Sequence, residues 1–232
     1  MGLLTTEHAK AGYLADFVLY AVASATLAVV LAVVAPYARR TEILAFALLG
    51  LVAWTLVEYV LHRFVLHGIQ PFKAWHAEHH RRPRALIGTP TIMSAALIAA
   101  LVFLPVLVLS DLWRACSLTF GLLTGYLVYA VVHHATHHWR VDNVWLRQIK
   151  RHHALHHSPI AARGRYGVSS AFWDFVFGTN DRSDSVHRRT ATTGAEAGAD
   201  AHGIAVWENE GGASVCHVAV GPRTASIPHV TS

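Results

Sequence analysis

Four long apolar blocks limit what this chain can become. They run Leu14–Ala35, Ile43–Leu61, Thr91–Leu109 and Leu112–Val132. At ~1.5 Å rise per residue, each is long enough as a helix to cross a hydrocarbon core of ~30 Å. Buried helices of a soluble domain usually keep a polar stripe, whereas these blocks are apolar on every face. Composition agrees, with 53% hydrophobic and 14% charged residues, against ~25% charged in an average soluble domain. The first block exceeds a signal-peptide core and "MGLLTTEHAK" is a poor basic leader, so it reads as a retained anchor. The expected fold is all-α, an integral membrane bundle of four transmembrane helices.

Four spans leave the N-terminus, residues 62–90 and everything after Val132 on one side. All 19 Lys and Arg fall there except Arg39, Arg40 and Arg114. Such an excess marks the cytoplasmic face. The net charge of +5 then serves orientation and contact with anionic headgroups, and nucleic acid is not an expected partner. Cys116 and Cys216 are too far apart in kind and place to make a disulfide framework or a thiolate metal site. Residues 1–13 read as a cytoplasmic segment and 14–181 as the membrane-embedded domain. Residues 182–232, with "TATTGAEAGADAHG", read as a disordered or loosely attached tail.

Thirteen of the 18 histidines lie between His62 and His157. They form four clusters: "HRFVLH", "HAEHH", "HHATHH" and "HHALHH". The first follows the second span and the third follows the fourth span, so all four meet one rim as a helical cap. In His-x-x-His-His, positions i, i+3 and i+4 share a helix face. His76, His79 and His80 fit that pattern, as do His153, His156 and His157; His133 and His137 are an i, i+4 pair. His62 and His67 are ~140° apart on a regular helix and converge only if it ends, bends or bulges between them.

These ten imidazoles are the candidate metal ligands. One ion rarely takes more than six, so ten imply two ions. Imidazole suits iron, zinc, copper and nickel. Thiolates are absent, and the nearby carboxylates are Glu58, Glu78, Asp142 and Asp174. Redox chemistry with dioxygen favours two iron ions, and zinc can take their place in purified protein. His134, His138 and His152 fall off the converging faces and read as supporting or surface residues. Glu58 and Asp174 are candidates for orienting a ligand ring through its second nitrogen. No catalytic group is expected beyond the ligands.

"HRFVLHGIQPFKAWHAEHH", "YAVVHHATHH" and "KRHHALHH" followed by "YGVSSAFWDFVFGT" resemble the histidine boxes and Trp-Asp ending of the fatty acid hydroxylase and sterol desaturase superfamily. The resemblance covers about Glu58 to Thr179. It implies a diiron membrane oxygenase that uses dioxygen and external electrons to hydroxylate a fatty acyl chain drawn from the bilayer. Sterol or carotenoid hydroxylation or desaturation is the nearest alternative. No electron-transfer module is visible, so a separate donor of ferredoxin or cytochrome b5 type is implied. After the boxes, the ending is expected to fold the cap back on the membrane, with Trp173 and Phe175 packing and Gly178 turning. The main non-enzyme alternative, a histidine-rich metal transporter, would place ligands near mid-membrane. The middles of these spans hold none.

Overall fold

The computed structural model describes residues 10–140, 143–158 and 164–180. The proposed tail and the isolated His8, His187, His202, His217 and His229 lie outside them. Among the described residues all regular structure is helical.

Among the described residues four helices are long and apolar enough to cross a membrane. α1 spans Lys10–Val33. α2 spans Arg40–Val60 and runs on through a π-helical turn, Leu61–Leu66. α3, Phe72–Arg81, is the first short cap helix. α4, Thr91–Leu109, widens into a π turn at Ala99–Phe103, just before Pro105 withdraws a backbone donor. α5 spans Leu112–His138, α6 Val144–His157 and α7 Phe172–Val176. The third expected span matches its helix end to end. The fourth helix runs six residues further, through His133 and His137, because histidines lower hydropathy without breaking a helix.

α5 is the central element. Half of its most apolar window is buried inside the protein, against none of α4's. α1 and α2 both pack on α5. The α2–α5 approach depends on Gly50 and Gly121. A Cβ on Gly121 would collide with the Ala47 carbonyl, and one on Gly50 with the Leu118 carbonyl. Small residues of this kind are what let two membrane helices bring their backbones together. Toward the histidine end the same seam fills with edge-on aromatic rings: Trp54 lies 5.2 Å from Tyr126, which lies 4.7 Å from Tyr20 of α1. α4 is tied on at its start, where Tyr20 Oη meets Ser94 Oγ at 2.5 Å.

One ionic network joins the first turns of α2 and α5, and both helices lead to histidines at their far ends. Asp111 accepts the backbone N–H groups of Trp113 and Arg114 and thereby fixes the start of α5. The same carboxylate receives both terminal nitrogens of Arg39. The two helices therefore run in parallel, and their far ends deliver their imidazoles to one place.

α7 corrects one expectation. Trp173 donates to Thr55 Oγ1 on α2 at 2.9 Å, and Gly178 adopts φ +63° as a turning residue should. Phe175, however, is 79% exposed. On this five-residue helix the inward positions are taken by Trp173, against α2, and by Asp174, buried against the 166–167 loop. Phe175 points the other way, beside the exposed Phe172 and Val176.

Candidate metal centre

The π turn resolves the awkward spacing of the first cluster. The N–H of His67 donates to the carbonyl of His62 at 3.2 Å, closing an i→i+5 loop. That closure brings residues five apart nearly into line, and the two rings stand 5.2 Å apart. π turns inside α-helices are uncommon and concentrate at functional sites.

The ten candidate rings assemble into two adjoining groups. His62, His67, His76, His80 and His156 form one, and His79, His133, His137 and His153 form the other. Within each group the ligand nitrogens lie within 4.8 Å of one another. His157 completes the set, its Nε2 3.1 Å from that of His153 and its ring stacked 4.1 Å from His80. The sequence pattern pointed to each His-x-x-His-His triple converging on one spot. The structure divides both triples: His76 and His80 join the first group and His79 the second, while His156 joins the first and His153 the second. The short helices α3 and α6 lie across both groups, so residues i and i+3 serve different ones.

The contacts have the dimensions of a coordination sphere. Nε2–Nε2 separations are 3.0 Å for His62–His76 and His76–His80, 3.1 Å for His67–His156 and 3.1 Å for His79–His133. They are 3.2 Å for His133–His137 and 2.9 Å for His137–His153. Two nitrogens at right angles on an ion with ~2.1 Å bonds lie ~3.0 Å apart, whereas tetrahedral ligands lie ~3.4 Å apart. Burial disfavours protonation. It brings His67 down to about 4, helped by the nearby Lys73 charge, and His80 to about 3. His76, His79, His153, His156 and His157 are also held well below the usual imidazole value, first by burial and then by neighbouring histidines. Neutral rings with converging lone pairs repel unless a cation sits among them. Among the described residues no carboxylate belongs to either group. The residues therefore fit two metal ions held by nitrogen alone.

Around the first group, residues 164–169 form a supporting loop. His62 Nδ1 faces the Tyr166 carbonyl at 2.5 Å, and His156 Nδ1 faces the Gly164 carbonyl at 2.8 Å. Each ring donates its Nδ1–H there and leaves Nε2 as the ligand atom. Glu58 and Asp174 do not contact these rings directly, contrary to the simplest expectation. Buried Glu58 accepts the N–H groups of Val168 and Ser169 at 2.6 and 2.8 Å, and the Ser169 hydroxyl. Buried Asp174 accepts the N–H groups of Tyr166 and Gly167 at 2.8 and 2.7 Å and the Thr179 hydroxyl at 2.6 Å. Its imidazole partner is His152, at 3.2 Å. Burial pushes the Asp174 carboxyl upward, yet the bonds from His152, Thr179, Gly167 and Tyr166 outweigh it and hold the carboxyl below its ordinary value. His134 likewise stays outside both groups, bonded to Tyr13 Oη at 3.2 Å and stacked on His138.

A cavity opens from the two groups into the bundle. Its walls include His76, His79 and His133, with Tyr13, Phe17 and Tyr20 of α1, Leu66, Phe72 and Tyr129. Tyr129 lies parallel to His133, ring centres 5.7 Å apart. Sequence reasoning missed the contribution of α1, because Tyr13, Phe17 and Tyr20 look like ordinary span residues. Their i, i+4, i+7 spacing was the available signal.

The described residues thus join four helices long and apolar enough to cross a membrane to two groups of histidines that could each hold a metal ion. The family model for fatty acid hydroxylases matches residues 47–179, which contain all ten rings, and the chain belongs to that family. It is 34% identical over 141 residues to a dihydroceramide fatty acyl 2-hydroxylase of Arabidopsis thaliana, covering 56% of this chain and 58% of that protein. It is 33% identical over 147 residues to a ceramide very long chain fatty acid hydroxylase of Schizosaccharomyces pombe, covering 58% of this chain and 42% of that one. The chain thus spans less than two thirds of the length of these relatives. A solved structure of full-length scs7p, in which only the hydroxylase domain is visible, superposes with TM-score 0.63 at 27% identity. The match covers 75% of this chain and 67% of that one.

Proposed function

We propose that this chain is an integral membrane lipid hydroxylase that inserts one oxygen atom into a fatty acyl chain. The ten histidines would hold two iron ions. When bound, these would supply the capacity to activate dioxygen with two electrons delivered from outside. In balance, a C–H bond, dioxygen, two electrons and two protons yield an alcohol and water. The relatives' names favour the acyl chain of a ceramide-type lipid, attacked at its second carbon, over a sterol or carotenoid.

The observation that carries this reading is the cavity that opens directly from both imidazole groups. Its lining is mostly aromatic and aliphatic, Phe17, Leu66, Phe72 and Tyr129 among them, with Asp16 and Thr89 as polar members, and suits a hydrocarbon chain with a polar head. The walls would hold such a chain beside His76, His79 and His133, so that a carbon near its carbonyl end meets the metal-binding groups. The loop carbonyls of Gly164 and Tyr166 keep the rings of His156 and His62 turned with Nε2 inward. The distribution of Lys and Arg supports a cytoplasmic location for the rim, where a ferredoxin or cytochrome b5 type donor could dock. Histidines at the rim rather than at mid-span favour an enzyme over a transporter.

Lipids from cells expressing the protein with a compatible reductase, analysed by mass spectrometry, test this reading. Species one oxygen heavier are expected, and His156→Ala should abolish them. Iron-loaded protein with a working donor that gives no oxygenated lipid would refute it. Products two hydrogens lighter would move it to desaturation.

A further inference from the structure

The structure assigns to Glu58 and Asp174 a joint positioning role directed at one of the two metal sites, that of the five-histidine group. This rests on the two-ion reading above and goes beyond it by making the two sites unequal.

The supporting loop is short and held from two sides. Four consecutive N–H groups, Tyr166 to Ser169, are taken in order by Asp174 and then Glu58. These carboxylates come from different elements, α2 and α7, and both are buried, at 4% and 0% exposure. The Gly167 N–H that Asp174 accepts lies in the same peptide plane as the Tyr166 carbonyl, so that bond sets the carbonyl's direction. The Gly164 carbonyl shares its plane with the Arg165 N–H, which donates to the carbonyl of Thr179, a residue Asp174 holds by its hydroxyl. Glu58 fixes the following stretch of the loop. The Tyr166 carbonyl accepts from His62, and the Gly164 carbonyl from His156. Both rings belong to the five-histidine group. In the four-histidine group, His79 and His153 have a buried Nδ1 with no hydrogen-bond partner among the described residues. An imidazole that donates through Nδ1 is a stronger base at Nε2 and has one orientation. The loop therefore holds two rings of one site and none of the other.

The two carboxylates differ in what an amide can replace. Both Asp174 oxygens accept backbone N–H groups, so Asp174→Asn must turn an NH2 toward a donor. Glu58 receives both of its N–H groups on Oε1, and its other oxygen meets only the Ser169 hydroxyl, which can also accept. Glu58→Gln should therefore be mild and Asp174→Asn severe, although both remove one charge.

The test counts ions per chain by mass spectrometry and measures their affinity by competition with a chelator, in the full chain in detergent. Wild-type protein should hold two ions. Asp174→Asn should keep one with unchanged affinity and weaken the other by roughly 10- to 100-fold, the usual cost of losing an outer partner. Glu58→Gln should change either affinity less than about threefold, smaller than that outer-partner cost. To assign the weakened ion, Asp174→Asn is added to single-ion backgrounds. It should weaken the ion left in His133→Ala and spare the ion left in His80→Ala. Equal weakening of both ions, or none, in well-folded protein overturns the inference. If Asp174→Asn does not fold, Glu58→Ala is read in the same two backgrounds with the same expected selectivity. Wild-type protein that binds no metal would instead sink the two-ion reading itself.

Discussion

The two ends of the α2–α5 pair solve one problem with opposite chemistry. At the starting end, Arg39 pairs with Glu42 and Asp111 at 2.8 Å, and Arg114 closes the network on Glu42. Those side chains are part-exposed, and their charges balance without help. At the far end, the same helices finish in rings that are buried, uncharged and alike in kind. Opposite charges attract by themselves and are screened by salt. Crowded neutral bases need a third party. One end is self-sufficient, while the other is built for something that must be supplied.

That contrast can be broken most forcefully by removing metal. An ion present at 100 times its dissociation constant stabilises the folded chain by about 2.7 kcal/mol. Stripping two should cost about 5 kcal/mol and a large fall in thermal midpoint, measured in detergent with and without a strong chelator. An unchanged midpoint would mean that the histidine end is as self-sufficient as the other.

The next effect concerns the seam between the ends. Gly121→Leu drives a side chain into the Ala47 carbonyl, where backbone cannot yield. Overpacking of this kind costs about 1–3 kcal/mol or more. Denaturation should show it equally in metal-loaded and metal-free protein, since it acts on neither end.

Acid sharpens the comparison further. His67 is held near 4 and His80 near 3 in the folded chain, against ~6.5 when unfolded. Above about pH 6.5 these rings are neutral in both states. As pH falls from there toward 4, the unfolded chain takes up protons that the folded chain refuses, so stability declines. Metal-free protein should lose thermal stability across that window, and a flat profile would contradict the buried, neutral rings. The smallest effect belongs to the ionic end. Arg114→Gln should barely move the midpoint, and the little it does should vanish in high salt.

Much of this was legible in the sequence because it concerns period and length. The four spans, the shared rim and the histidine clusters follow from apolar runs and i, i+3, i+4 spacing. Even the irregularity between His62 and His67 was visible, since residues five apart converge only if the helix ends, bends or bulges, and of these a π turn is what occurs there. The division of each triple between two groups was not visible. Periodicity says which face of a helix a ring occupies and nothing about which neighbour that face meets. The partners of Glu58 escaped for a similar reason: they lie 110 and 111 residues away. Phe175 misled because an aromatic residue in a membrane protein packs as readily against lipid as against protein.

The oblique seating of α3 and α6 carries a mechanical consequence. His76 and His79, like His153 and His156, are separated by three residues, a climb of ~4.5 Å along the helix. The interval between the two centres is thus graduated by backbone pitch, much as marks are cut into a rod. Connecting loops can lengthen or shorten without disturbing it. A single residue inserted within either rod would swing the later ring by ~100° and strand it facing the wrong neighbour.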